Sequence, residues 1–334
     1  MQAPTFKPQL TNGELRKVFP STLFVQVGDT VLFTTPEFEP HNVYFYNQSS
    51  GVPPPYYVQS PTVGEGIMVN ALVTNPPPPP LPYTGGLTMS PVLIQGSLQF
   101  QDSWNVTFGK PGTYTYTCLV HYPFMLGKIT VVDQMHNKKN KANIRNAQKQ
   151  LAASEKVALA AYGALNAEAA AVAPVRNPDG TYTRTFTVGA SVQKTMHGVT
   201  HHLVDFIYFF PYGIMQAQPN DTIRFVLGAT NYRAHTVTLL AGRPFSELYV
   251  IAPQHPNTTK PHVLLNPIIA TPVNVGVTIR NRSTFFNSGL LSASGNSSIE
   301  IKLGNIAPGP LTVVCLLHGP SRLVATIYVN ATNV

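Results

Sequence analysis

Two segments far apart in the chain end in the same way, and this repetition constrains the fold most. One segment reads GTYTYTCLVHYPFMLGKITVV and holds Cys118, and the other reads LTVVCLLHGPSRLVATIYV and holds Cys315. Each has a strand-like stretch of alternating apolar and polar residues, then Cys-x-x-His, a short loop and a closing strand. The pattern predicts a whole β domain that occurs twice.

The stretches between these endings also predict strands. Runs such as STLFVQVGDTVLFTT and DTIRFVLG alternate apolar and polar residues beside Gly-Asp or Asn-Asp turns. The 31 prolines and 24 glycines favour many short strands joined by turns. Pro53–Pro55 and Pro76–Pro80 cannot pair within a sheet, and we assign them to a long surface loop.

A helical segment separates the two β regions. Residues 134–174 are rich in Ala, Lys, Asn, Gln and Glu, and apolar side chains recur there at helical spacing. We therefore predict three parts: a β domain at 1–133, a helical linker at 134–174 and a second β domain at 175–334. The linker's apolar stripe should lie on one or both β domains, with Ser154 as a break in it.

Charge and composition narrow the possible partners. The net charge is +8, but the basic residues form no stripe interleaved with stacking aromatics, so we expect no nucleic acid. One basic cluster is interpreted as a solvated helix face, with an acidic partner surface as the alternative; it contains Lys138, Lys139, Lys141, Arg145 and Lys149. No stretch has the length and apolarity of a transmembrane helix.

The chemistry of the first β region lies in four side chains. Cys118, His121 and Met125 stand on one loop between two strands, and His41 lies far upstream in EPHNVYFYN. A thiolate, two imidazoles and a thioether form the donor set of a trigonal copper site with a long axial methionine. A disulfide between Cys118 and Cys315 is also possible, but a repeated ligand position explains their similar contexts better.

This set of motifs resembles the small blue copper proteins, the plastocyanin- and amicyanin-like cupredoxins. The resemblance rests on GDTVLF, PHNVYF and YTYTCLVHYPFMLGKITV, with Tyr122 as an extra residue relative to amicyanin. It implies an all-β fold of two Greek-key cupredoxin sandwiches. It also implies equatorial copper ligands at His41, Cys118 and His121, an axial ligand at Met125, and Asn42 bracing the ligand loop. His121 should lie near the surface among Pro123 and Phe124, where electrons would enter.

The second β region repeats the plan with one ligand missing. His235, Cys315 and His318 correspond to the three strong ligands, while Arg322 or Leu323 stands in place of the methionine. Three strong ligands can still hold copper, and the missing thioether would raise the reduction potential. The alternative is a domain that has lost its metal and kept its fold. We therefore expect one copper ion, or two.

These observations predict an electron carrier outside the cytoplasm, either periplasmic or extracellular (secreted or at the cell surface), with any signal peptide removed. Its partners would be redox proteins; the sequence does not settle its oligomeric state. A non-redox copper carrier, store or sensor is the alternative. An oligomeric multicopper oxidase or nitrite reductase-like enzyme is disfavoured, because no His-x-His pair occurs and neither cysteine has a histidine neighbour. We therefore expect no enzyme activity. His197, His201 and His202 are interpreted as surface or capping residues, and Asp205 as a hydrogen-bonded structural acid.

Overall fold

A computed structural model describes most of the chain. The described residues are 13–15, 20–35, 39–46, 51–61, 66–74, 76–95, 100–134, 137–196, 199–228, 230–231, 233–252, 263–319 and 323–331. They divide into two compact units. Unit one comprises Leu15–Lys156 with Ile251–Leu264, and unit two comprises Leu10–Glu14, Val157–Val250 and Leu265–Val334.

Short strands dominate both units. In the first part of the chain the strands are β1 (Gly13–Leu15), β2 (Thr22–Gln26), β3 (Thr30–Thr34), β4 (Tyr44–Phe45), β5 (Tyr57–Gln59), β6 (Ile67–Val69), β7 (Thr88–Met89), β8 (Ser103–Thr107), β9 (Gly112–Thr117) and β10 (Leu126–Val132). The remaining strands are β11 (Val175–Arg176), β12 (Tyr182–Met196), β13 (Val199–Phe210), β14 (Ile214–Ala217), β15 (Thr222–Leu227), β16 (Thr238–Leu239), β17 (Tyr249–Ile251), β18 (Val263–Leu265), β19 (Phe286–Asn287), β20 (Ser298–Lys302), β21 (Gly309–Val314) and β22 (Val324–Val329). The helices are α1 (Ala71–Thr74), α2 (Asn137–Ala170) and α3 (Pro267–Ala270).

Unit one is a β-sandwich. Its larger sheet has the order β2-β10-β9-β4-β7, in which β2 runs parallel to β10, and β3 pairs with β8 in the second sheet. Alternate residues of the strands point inward, such as Ile129 and Val131 of β10 and Trp104 and Val106 of β8, and one core cluster contains them all. Aromatic rings join the two sheets, with Phe33 of β3 centred 5.1 Å from Tyr116 of β9.

Unit two repeats this sandwich and enlarges it. Its sheet β14-β22-β21-β16-β19 has the same order as the sheet of unit one, again with its first strand parallel to the second. β15 pairs with β20 as β3 pairs with β8, but the second sheet also gains β12, β13, β11 and β1. The all-β prediction, with two sandwiches joined by a long helix, is confirmed.

Helix α2 packs on sheet surface through a stripe of apolar and polar side chains. Ala147, Leu151 and Ala158 are buried as the periodicity predicts, and Ser154 is buried with them rather than interrupting the stripe. The buried Asn143 was not predicted: its Nδ2 donates to Phe24 O at 2.8 Å, so it satisfies the edge strand β2. Within unit two, the Tyr162 ring lies 5.2 Å from that of Tyr208.

Two further findings concern segments singled out in the sequence. Pro76–Pro80 lies outside any strand or helix and is partly to fully exposed, in keeping with a surface loop. None of the helices in the described residues combines the length and apolarity needed to cross a bilayer.

A glycine in β10 gives the first test of the unit-one core. Gly127 pairs with Tyr116, and a Cβ at Gly127 would overlap the Tyr116 ring, which is buried and cannot retreat. Gly127→Ala should lower the free energy of unfolding by about 1–3 kcal/mol, the usual cost of overpacking. Chemical denaturation followed by tryptophan fluorescence reports on this unit, because Trp104 is the only tryptophan.

Gly163 of α2 provides a matched control for that substitution. Apart from its chain neighbours and the adjoining helix backbone, no atom lies within 4 Å of the position of an added Cβ there. Gly163→Ala should therefore stabilise unit two by up to about 1 kcal/mol from helix propensity, measured by circular dichroism because Trp104 lies in unit one. Equal effects of the two substitutions would contradict the close packing of Tyr116 on Gly127.

Candidate metal centre

The three strong ligands predicted in unit one are carried by separate elements. His41 precedes β4 and exchanges backbone hydrogen bonds with Leu93, at 2.9 and 2.7 Å. Cys118 follows β9 directly, and its N–H donates to Met125 O at 3.1 Å. His121 lies on the turn between Cys118 and Met125, and Met125 N donates a hydrogen bond to His121 O. The closing hydrogen bonds of the β9–β10 hairpin therefore place the ligand loop.

These residues converge around the sulfur of Cys118. Its Sγ lies 3.8 Å from His41 Nδ1 and 3.3 Å from His121 Nδ1, and the two imidazole centroids are 4.7 Å apart. His41, Cys118 and His121 are 8%, 3% and 1% exposed. One soft sulfur and two ring nitrogens, all facing one point away from water, fit a copper ion. Met125 is half-buried on the same loop.

An amide braces this loop from the neighbouring strand. Asn42, which follows His41, is buried, and its Oδ1 accepts a hydrogen bond from Leu119 N at 2.7 Å. Leu119 follows Cys118, so the contact links the two ligand segments without using a ligand atom. This is the bracing contact that the resemblance implies for Asn42.

Unit two assembles the corresponding group with nearly the same dimensions. Cys315 Sγ lies 4.0 Å from His235 Nδ1 and 3.2 Å from His318 Nδ1, and the imidazole centroids are 4.6 Å apart. All three side chains are buried. Burial raises the pKa of the Cys315 thiol, although a hydrogen bond from Thr236 N at 3.2 Å opposes the shift. Among the described residues these two are the groups of His, Cys, Asp and Glu able to hold a metal.

The supporting hydrogen bonds are repeated as well, which sequence reasoning missed. Ser90 Oγ accepts from Val43 N at 2.8 Å, and Ser288 Oγ accepts from Val237 N at 2.9 Å. Thr236 replaces Asn42, with its Oγ1 accepting from Leu316 N at 2.8 Å. A Ser-Pro or Ser-Gly step 27 or 28 positions before a cysteine carries no recognisable metal-site signal.

The residue that occupies the position of Met125 differs between the two units. Cys118 N donates to Met125 O, and Cys315 N donates to Leu323 O at 2.9 Å. Leu323, which is fully buried, is therefore the counterpart of Met125. Of the two residues that the sequence left open, Arg322 lies outside the described residues. The residue equivalent to the thioether thus offers no donor atom.

His121, which we expected near the surface, is itself enclosed. It is 1% exposed, and its Nε2 lies 3.9 Å from a carboxylate oxygen of the buried Glu39. The neighbouring Tyr122 and Pro123 are the exposed residues of the loop. An extra acidic side chain behind the imidazole was not predicted, since Glu39 stands beside Pro40 without any motif of its own.

The wall of the unit-two group depends on a glycine. Gly189 has φ +62° at a register shift of β12, and a Cβ there would overlap His235 Nε2 and Asn231 Nδ2. Glycine alone lets the strand pass this close to the imidazole. Asp205 is a hydrogen-bonded acid as predicted, since it accepts from Ser191 Oγ and lies 3.2 Å from Arg233 Nε. His201 and His202 lie on β13, and His197 is outside the described residues.

The hydrogen bonds that Asn42 and Thr236 accept should contribute measurably to the stability of the copper-free protein. Asn42→Ala leaves the Leu119 N–H without its acceptor, and Thr236→Val does the same to Leu316 N–H. Each should lower the free energy of unfolding of its unit by about 1–3 kcal/mol. Asn105→Ala, at an exposed position of β8, is the control and should stay within about 0.5 kcal/mol of the parent. If Asn42→Ala were no worse than Asn105→Ala, the bracing contact would be absent in solution.

Comparison with known proteins gives structural likenesses alone. No protein-family model matches the chain, and neither does any curated protein. A reduced mutant of amicyanin is 27% identical, over 35% of this chain and 73% of its own, with a TM-score of 0.18. A purple cupredoxin from Nitrosopumilus maritimus is 22% identical over 34% and 79%, with a TM-score of 0.20. Amicyanin from Paracoccus versutus is 24% identical over 36% and 76%, with a TM-score of 0.19.

At such TM-scores the fold assignment rests on the strand order of each unit, not on the likenesses. The sandwich occurs twice, and each copy closes with a cysteine loop that meets an upstream histidine. Each unit is thus a β-sandwich that closes over a buried His-Cys-His group.

Proposed function

We propose that the chain is a copper-dependent electron carrier with a type 1 site in unit one. The observation that carries this proposal is the buried Cys118 sulfur between two imidazole Nδ1 atoms, at 3.3 and 3.8 Å. In this proposal His41, Cys118 and His121 are the equatorial ligands and Met125 is the axial one. When bound there, copper supplies a one-electron couple between Cu(I) and Cu(II).

The residues around the site suit such a couple. The ligands stand on strand ends and a hairpin loop that backbone hydrogen bonds hold, so their positions need to change little with oxidation state. Asn42 keeps the loop closed, and the surrounding core excludes water. A rigid, dry donor set lowers the reorganisation that accompanies each electron transfer.

Burial also separates the carrier from the alternative of a copper store or shuttle. An ion that is delivered to a partner must be reached by the partner's ligands, whereas an electron can tunnel through several ångströms of protein. All three strong ligands are at least nine-tenths buried, which favours copper as a resident cofactor over copper as cargo. Electrons would then pass beside the buried His121, through the loop that exposes Tyr122.

We extend the proposal to a second copper ion in unit two, bound by His235, Cys315 and His318. Its support is the equal spacing of the three donors in the two units. We further propose that the chain works outside the cytoplasm and exchanges electrons with redox proteins, and that it catalyses no reaction of its own. An acidic partner surface would complement the basic residues of α2.

The ligand assignment is tested with two single substitutions of the full chain. The parent loaded with Cu(II) should absorb strongly in the visible range, from thiolate-to-copper charge transfer, and bind two copper ions. Cys118→Ser and Cys315→Ser should each remove one ion and that site's share of the absorbance. Loss of both ions should remove all of the visible absorbance. An unchanged spectrum in Cys118→Ser would refute the unit-one site, and copper passing rapidly to a chelator would favour the shuttle.

The counterpart residues Met125 and Leu323 predict opposite changes in potential. Leu323→Met adds a thioether donor, which stabilises Cu(II), and should lower the potential of the unit-two site. Met125→Leu removes one and should raise the potential of the unit-one site. Each change should alter the Cu(I):Cu(II) ratio at a fixed ambient potential by roughly tenfold, or about 59 mV for one electron. Spectroelectrochemistry in the Cys118→Ser or Cys315→Ser background isolates one site at a time, and shifts of the same sign would contradict the assignment.

A further inference from the structure

A buried acid stands behind one of the proposed copper ligands. Glu39 Oε2 lies 3.9 Å from His121 Nε2, and the two residues are 3% and 1% exposed. Resting on the proposed function, we propose that Glu39 is a positioning residue of the unit-one site. It orients His121 from the side opposite Cys118, and its charge lowers the reduction potential of this site relative to that of unit two.

The orientation of His121 follows from the neighbours of its two ring nitrogens. His121 Nδ1 points to Cys118 Sγ, so Nδ1 is the atom available to a metal. The proton of the neutral ring then resides on Nε2, which faces Glu39. At 3.9 Å the carboxylate oxygen lies beyond hydrogen-bond distance, so the negative charge of Glu39 acts on the Nε2–H through space and favours this tautomer and this ring orientation.

The second part follows from burial. A negative charge favours the oxidised form of the site, which carries one more positive charge than the reduced form. Water screens such an interaction strongly at a surface but weakly in a protein interior. Glu39 is among the few fully buried acids of the described residues, with Asp205 and Asp221, and it belongs to the unit-one site.

Unit two has the opposite charge at the corresponding position. Glu39 stands two residues before His41, and Arg233 stands two residues before His235. The Arg233 guanidinium lies 3.2 Å from Asp205 Oδ2, so a nearby carboxylate balances its charge. Unit two therefore gains no net negative charge from this position. It also lacks the thioether, because Leu323 replaces Met125. Both differences place the potential of unit one below that of unit two.

The test measures the unit-one potential in the full chain carrying Cys315→Ser, so that one site contributes. Glu39→Gln keeps the shape and an acceptor oxygen but removes the charge. It should raise the Cu(I):Cu(II) ratio at a fixed ambient potential about tenfold, or about 59 mV for one electron, with the copper content unchanged. Glu39→Asp, which restores the charge, should return most of the shift.

The control removes the same charge elsewhere in the unit. Asp102→Asn changes an exposed carboxylate and should alter the ratio less than twofold. If Glu39→Gln moved the potential no more than Asp102→Asn did, the inference would be wrong. A shift of the opposite sign would also overturn it.

A measurement on the unsubstituted residue covers the case in which Glu39→Gln fails to fold. In the diamagnetic Cu(I) form, proton–nitrogen NMR should show the proton of the His121 ring on Nε2, the nitrogen that faces Glu39. A proton on Nδ1 would refute the proposal. Failure of the proposed function has a different result: the Cys315→Ser parent would then lack the charge-transfer band.

Discussion

The structure depends on holding a cysteine sulfur in a dry interior between two imidazoles. An isolated buried thiolate is unfavourable, so such a group needs partners that compensate it at fixed distances. In unit one the partners come from residues 77 positions apart and three positions apart, and in unit two from 80 and three. The sandwich brings a local loop and a distant strand together around one sulfur atom in each unit.

The two units show how one scaffold can carry two electronic environments. The donors, their spacing and the serine that supports the histidine strand are repeated. The residues around the donors differ: Asn42 becomes Thr236, Met125 becomes Leu323, and the buried acid Glu39 becomes Arg233, which Asp205 neutralises. Backbone hydrogen bonds hold the geometry, so the side chains at these places can vary and tune the site without displacing its ligands.

Because the site is buried, its exchange with solvent is limited. Sequence resemblance implied that His121 lies near the surface, and the structure adds that Glu39 and the surrounding loop enclose its ring. A closed site of this kind would retain an ion and admit electrons, as the proposed redox centre requires. In the role proposed for Glu39, burial would let its charge act strongly on the neighbouring imidazole.

The sequence by itself determined the class of fold, the repeat, the long helix and the residues that assemble each His-Cys-His group. Strand alternation and a short loop motif are local, so they can be read along the chain. Tertiary structure alone decided that Leu323 is the counterpart of Met125, because hairpin register sets that equivalence. It likewise decided that Glu39 faces His121, that Gly189 lies against His235, and that Asn143 caps an edge strand. These contacts join residues that no local pattern relates, and only the packing of strands and helix brings them together.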